Sequence, residues 1–203
     1  MNRCVSAGLD SSVTPVIPER AEEALARTNR ALPIYRQQTV HPTPDPGTGQ
    51  AESSWALTQD FYAQSTILAL VSIAEEFCVS RLVELTEERS PRDPIVELLW
   101  ATELERSADT WPQRDALLVR YFGIAAKDFP GHAALLGFVD ARNAIAHGLG
   151  KLTRKQVQKR PKISAHLAQA GISLARDVLL LEQGNVERCA AVMKDYVRWL
   201  DER

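Results

Sequence analysis

The stretch Ile67-Leu-Ala-Leu-Val71-Ser-Ile-Ala74-Glu-Glu-Phe-Cys78-Val-Ser-Arg-Leu82-Val-Glu-Leu85 decides the fold class. Its apolar residues Ile67, Val71, Ala74, Cys78, Leu82 and Leu85 recur at three- and four-residue steps. That period lines one face of an α-helix and is not the alternation of a strand. Leu57, Phe61 and Leu68 carry the apolar surface toward the N-terminal end, and no Pro or Gly occurs from Ala56 to Thr86. Ser53 or Ser54 is placed to cap the helix. A helix of over about 30 residues, roughly 45 Å long, is longer than a compact bundle of this size needs, and such a length suits support of a second subunit.

On its C-terminal side, Pro91 and Pro94 end this helix and start the next, from Ile95 to about Arg106. Trp111-Pro112 opens a third, since proline suits a first turn, and it runs through Leu117, Leu118, Tyr121, Phe122 and Ile124 to Lys127. A fourth starts around Pro130, carries Leu135, Leu136, Phe138 and Val139, and reaches His147, with Gly148 as a natural C-cap. Helical character weakens after Gly150. A short basic turn of helix is expected from Thr153 to Gln158, and the run from Ile172 to Leu181, broken by Arg176-Asp177, reads as a two-stranded hairpin that needs a helical floor. Val186 to Leu200, with Cys189, Met193, Tyr196 and Leu200 on one face, forms an amphipathic closing helix.

On the N-terminal side, residues 1 to about 18 read as a flexible lead-in. A short helix follows Pro18-Glu19 and is expected to end before Pro33. The segment from His41 to Gly49 places three prolines and two glycines within nine residues, a linker or surface loop. The expected architecture is all-α: a helical bundle of four to five main helices with a small β-hairpin before the C-terminal helix. Residues 1–52 form an N-terminal arm, and 53–203 form the helical domain.

The 203 residues include 24 Lys plus Arg and 26 Asp plus Glu, a formal charge of −2, with 45% hydrophobic residues. This composition favours a globular core and excludes a broadly basic nucleic-acid coat. It leaves room for a local basic patch. Cys4, Cys78 and Cys189 are an odd number, without a metal-binding or C-x-x-C spacing, which argues against a disulfide framework and for a reducing compartment. Neither a zinc motif nor a signal peptide is recognisable, Ile67 to Ala74 is too short to span a bilayer, and Gly47-Thr-Gly49 lacks the parts of a phosphate loop. A cytoplasmic protein with no cofactor and no metal is expected.

Among His41, His132, His147 and His166, the neighbourhood of His147 is the most informative. Asn143 lies four residues earlier on the same helix face. Arg142 lies five earlier, about 7.5 Å along the axis and roughly 140° around it, yet its side chain can reach a phosphate held near the imidazole. The alternative is a surface arginine and a histidine that favourably ends a helix. From Lys151 to Lys162 six of twelve residues are basic (Lys151, Arg154, Lys155, Lys159, Arg160 and Lys162) and none is acidic. This run suits a phosphate backbone, or it is a solvated loop.

Ala141-Arg-Asn-Ala-Ile-Ala-His-Gly-Leu-Gly-Lys151 resembles the signature of the HEPN superfamily, helical bundles marked by Arg, a polar residue, and His four to six positions after the arginine. The Arg-Asn-x-x-x-His-Gly form, the basic stretch and the late Trp-Leu helix are similar to the RiboL-PSP or MAE-type HEPN group, a likeness over residues 54 to 203. The resemblance implies a metal-independent endoribonuclease of toxin–antitoxin or antiviral-defence systems, acting as a homodimer on RNA. It gives His147 acid–base chemistry, Arg142 the stabilisation of the transition state and Asn143 the orientation of His147 or a phosphate oxygen. Leu149 stands where some toxins of the superfamily have a tyrosine that an antitoxin nucleotidyltransferase modifies, so that control is not expected here, while another antitoxin or defence partner is. Competing readings are a non-catalytic RNA-binding or assembly module and a structural helical protein held by an antitoxin.

Other side chains carry plainer expectations. Glu75 and Glu76 are solvated helix carboxylates, or one approaches the arginine or histidine of the motif. His132 and His166 stand isolated in the sequence. Trp100, Trp111 and Trp199 suit the bundle core or an interface better than base stacking, and Trp55 could pack the N-terminal arm down.

Overall fold

A computed structural model of the chain describes residues 21–39, 49–89, 102, 103 and 109–203, with the side chains of 49–56 left aside. The expected lead-in, the bulk of the 41–49 segment, the Trp55 side chain, Trp100 and all but two residues of the helix expected from Ile95 lie outside the described set; the two, 102 and 103, are helical. The fold is all-α with one small hairpin. In chain order it comprises α1 (Ala21–Gln38), α2 (Gly49–Arg89), α3 (Trp111–Leu117), α4 (His132–Gly148), α5 (Arg154–Val157), α6 (Arg160–Gln169), β1 (Ser173–Ala175), β2 (Val178–Leu180) and α7 (Gln183–Asp201).

Helix α2 is the spine. Its 41 residues correspond to about 60 Å, and it packs along α1, α4 and α7. The apolar stripe read from the sequence is the buried face: Ile67, Val71, Ala74, Cys78 and Leu82 are all fully buried. The helix starts at Gly49, so Ser53 and Ser54 lie inside it and do not cap it. Helix α1 continues past Pro33 to Gln38. Proline removes one intrahelical bond at that point, but Ala24 before it and Tyr35 after it are both buried in the common core, and packing on α2 and α7 holds both halves.

The third helix is shorter than expected. α3 passes at Leu118 into a π-helical turn that stops at Gly123, which has φ 72°, and a single 3₁₀ turn follows at Ala126–Asp128. Trp111, Phe129, Tyr196 and Trp199 interlock with neighbouring centroids 5.4 to 5.9 Å apart. Trp111 and Trp199 are thus core residues. Cys78 and Cys189 are buried free thiols; burial pushes Cys78 up to about 11 and raises Cys189 as well, so neither is a ready thiolate near neutral pH.

Helix α6 departs most from the sequence expectation of weakening helicity. Pro161 sits in its first turn and Ile163 and Leu167 are buried against the body. The helix packs closely on α4 because Gly137 lets it in: a Cβ there would lie 2.2 Å from the His166 carbonyl oxygen and 2.7 Å from the Ala170 Cβ. Gly137→Ala is therefore expected to cost about 3 kcal/mol by prising the two helices apart, read as a lower urea midpoint with an unchanged slope. The hairpin sits on a buried anchor, Leu179, and pairs Ser173 with Leu180 through to Ala175 with Val178. It is also tied to the segment after α4 by the Lys151–Val178 bridge and by the Leu152 amide donating to the Asp177 carbonyl at 2.8 Å.

Candidate functional site

The motif residues all lie on the second half of α4, a helix held on both flanks, by α2 and by α6. The helix runs through Gly148, and Leu149, not Gly148, takes the left-handed conformation, with φ 51°. The Leu149 and Gly150 amides donate back to the Ile145 and Ala144 carbonyls at 3.1 and 3.2 Å. Gly150 is required next: its φ is 84°, and a Cβ would lie 2.8 Å from Gln64 Nε2 of α2. The chain thus reverses directly after His147 and leaves the Leu149 side chain 89% exposed.

Arg142 points to α2. Its Nη2 lies 3.4 Å from Glu75 Oε2, while the other Glu75 oxygen lies 3.4 Å from Arg114 Nη1 on α3. One carboxylate thus serves two guanidinium groups, in a cluster whose side chains are 10% (Arg114), 13% (Glu75) and 26% (Arg142) exposed. Of the two glutamates, Glu75 is the one that approaches the motif; Glu76 pairs with Arg27 at 2.8 Å on the surface. The cluster carries one excess positive charge, and Arg114 Nε, Arg114 Nη1 and Arg142 Nε are buried without a hydrogen-bond partner. Such a cluster is poised to attract an anion.

Arg142 Nη1 donates to Asn143 Oδ1 at 3.3 Å, so these two motif residues are joined. His147 is exposed and makes no hydrogen bond or ion pair among the described residues. No hydrogen bond joins Asn143 to His147 within the chain, and the imidazole is open to solvent at the end of the helix.

The basic run is divided by the fold. Lys151, Arg154 and Lys155 are exposed around the start of α5, where Thr153 and Gln156 form a capping box. Arg160 is engaged: it lies 3.0 Å from Asp177 and donates to the Arg176 carbonyl, clamping the hairpin turn to α6. Lys159 and Lys162 turn to a cleft of about 350 Å³ between α3, α4 and α6.

That cleft gathers the two histidines that stand isolated in the sequence. His132, Asp140 and Asn143 line it from α4, and His166 from α6. His166 Nδ1 lies 2.7 Å from Asp140 Oδ2, and the Asp140 carbonyl accepts from Gln156 Nε2 at 2.8 Å. Burial raises the Asp140 pKa above the ordinary carboxylate range, outweighing the opposing pull of His166 and Lys162. The sequence does hold a trace of this grouping: Lys162 and His166 stand four residues apart, one turn of helix, and Lys159 immediately precedes that helix. Among the described residues, no group of three His, Cys, Asp or Glu is placed to hold a metal ion, and no helix is long and apolar enough to cross a membrane. Comparison of the chain with protein-family models, curated proteins and solved structures finds no match.

Proposed function

We propose that the chain is a metal-independent endoribonuclease of the HEPN type, cleaving RNA by attack of the 2′-OH. The observation that carries this reading is the placement of an uncommitted, exposed His147 at the end of α4, one turn beyond the joined Arg142–Asn143 pair and beside the exposed Lys151, Arg154 and Lys155. His147 accepts the 2′-OH proton as the 2′-oxygen bonds to phosphorus. Negative charge then grows on the equatorial phosphate oxygens, where the excess positive charge of the Arg142–Glu75–Arg114 cluster opposes it. The bond from phosphorus to the 5′-oxygen breaks, and that oxygen takes a proton. The products are a 2′,3′-cyclic phosphate and a 5′-OH, and DNA is bound without being cut.

The leaving oxygen needs an acid while His147 serves as base. A homodimer that sets two copies of the motif across one symmetry axis supplies it from the second imidazole. The Leu57 and Phe61 side chains, exposed on α2, offer apolar surface for such a contact. A toxin or antiviral-defence effector in the cytoplasm, restrained by an antitoxin or another defence-system protein, is the setting this reading implies. A specific observation favours a second reading: Arg142 is engaged by Glu75 and Asn143, and not by His147. A non-catalytic RNA-binding or assembly module would keep these bonds for stability alone.

The two readings separate on matched oligonucleotides, one all-ribose and one carrying a single 2′-deoxy residue at the mapped cleavage position. The ribonuclease reading expects the first to be cut and the second retained intact. Binding of both with cleavage of neither supports the module.

A further inference from the structure

We propose that the outer face of the hairpin, together with the turn after α4, is a docking surface for an anionic lipid bilayer. Leu149, Val178 and Leu180 enter the acyl boundary, and the cations around them meet the headgroups. The inference does not rest on the ribonuclease reading, and either can fail alone.

Backbone pairing decides which side chains share this face. Val178 pairs with Ala175 across the hairpin and with Lys151 on its other side, and directly opposed residues project from the same face of a sheet. Leu180, two residues along β2, repeats the direction of Val178, whereas Leu179 between them is buried. Leu149 stands level with Leu180, because Gly150, which follows it, accepts from the Leu179 amide at 2.9 Å. All three aliphatic side chains are exposed, and Leu149, at 89%, stands clear of its neighbours. Leucine is an uncommon residue for a left-handed position; its φ of 51° puts an aliphatic side chain into water with little packing in return.

The charge around the face selects the occupant. Lys151 on the face, Arg176 at the hairpin turn, and Arg154 and Lys155 just beyond are exposed, and their side chains make no hydrogen bond or ion pair among the described residues. From Leu149 to Glu182 the acidic residues are Asp177 and Glu182 alone, and both are committed. Asp177 lies 3.0 Å from Arg160, and Glu182 belongs to the capping box of α7. A second copy of this chain is disfavoured, since a two-fold contact sets these cations against their own images. Nucleic acid satisfies the cations but gives the three aliphatic side chains nothing to enter. An anionic bilayer satisfies both, as hydrocarbon takes the apolar tips without a preformed pocket and the headgroups attract Lys and Arg. The contact is peripheral: among the described residues no helix is long and apolar enough to cross a membrane.

Co-sedimentation of the 203-residue chain with two kinds of vesicle tests this, one of phosphatidylcholine and one of phosphatidylcholine with an equal part of phosphatidylglycerol. The expected result is at least about tenfold tighter binding to the anionic vesicles, weakening as salt screens the surface. Leu149→Ser/Leu180→Ser and Lys151→Gln/Arg176→Gln are each expected to lower that affinity at least about tenfold. All four side chains are exposed, so both variants fold. The control is Val119→Ser, expected to bind within about twofold of the parent. Val119 matches Val178 in exposure, both at 46%, but it lies near Arg89 of α2, which donates to the Tyr121 carbonyl, whereas the docking face adjoins Gln64. Those two points of α2 are about 37 Å apart. No binding to anionic vesicles, equal binding to both compositions, or unchanged affinity in the Leu149→Ser/Leu180→Ser protein overturns the proposal. A dimer that Leu149→Ser/Leu180→Ser disperses, in a chain that binds no vesicle, would give the face to a second copy and overturn it as well. RNA cleavage by a protein that binds no vesicle would leave the ribonuclease reading standing and remove this one.

Discussion

Replacing His147 by Ala is expected to lower RNA cleavage by about 10²- to 10⁴-fold, the span that a general acid–base group supplies, with no loss of stability. Both halves follow from its position. The imidazole is exposed at the end of α4 and makes no hydrogen bond or ion pair among the described residues, so its removal breaks nothing in the fold, and surface substitutions of this kind stay within about 0.5 kcal/mol. If the side chain has a role, the role lies outside the chain. Single-turnover cleavage of a defined RNA, measured beside a urea denaturation curve, separates the effects. Equal cleavage by His147→Ala and parent would remove His147 from the chemistry. Loss of cleavage accompanied by a large drop in the urea midpoint would assign it to the fold instead.

Glu75→Ala is expected to have the largest effect on stability, about 3–5 kcal/mol, the cost of leaving a buried charge without its partner. Its carboxylate lies 3.4 Å from both Arg114 and Arg142 and is 13% exposed, so deleting it sets two guanidinium groups against each other in a poorly solvated site. The surface pair Glu76–Arg27, at 2.8 Å with side chains 56% and 35% exposed, is the control. Its distance is shorter, yet Glu76→Ala is expected to cost no more than about 1 kcal/mol, since water screens an exposed pair. Urea midpoints of the two variants should therefore differ widely. A Glu75→Ala midpoint matching that of Glu76→Ala would show that the arginine cluster is held by its other contacts. Because Glu75 also positions Arg142, the Glu75→Ala protein should cleave RNA more slowly even where it remains folded.

The long helix was legible because its evidence is local. Ile67, Val71, Ala74, Cys78, Leu82 and Leu85 sit on one face by spacing alone, and all are buried. The hairpin was legible too, since Arg176-Asp177 breaks an apolar run, and the structure supplies its anchor in Leu179. Three features resisted. Proline in α1 signals a stop, but Tyr35 beyond it is buried, and tertiary packing outweighs the local rule. Helix α6 opens with Arg160-Pro-Lys, which reads as a loop until Gly137 on α4 is seen to make room for it. Gly148 looks like the C-cap, whereas the helix runs through it and Leu149 takes the left-handed conformation, followed by Gly150 with its own positive φ.

The candidate site divides along the same line. Arg142, Asn143 and His147 are close in sequence, and the helix period alone relates them. The pairing of Asp140 with His166 spans 26 residues and two helices, and nothing in either segment names the other. The Lys151–Lys162 run reads as one basic patch, yet the fold sends Lys159 and Lys162 to the cleft, ties Arg160 to Asp177, and leaves Lys151, Arg154 and Lys155 in solvent. Charge density is visible in a sequence. Its direction depends on which helix face each residue occupies.

The central claim is tested most directly by end-group analysis of RNA incubated with the purified 203-residue chain in excess EDTA. Cleavage by 2′-OH attack predicts 5′-OH ends and 2′,3′-cyclic phosphates, at a rate unaffected by the chelator and lowered at least about 10²-fold by His147→Ala. Intact RNA, cleavage only after a divalent metal is restored, or products bearing 5′-phosphates would contradict it.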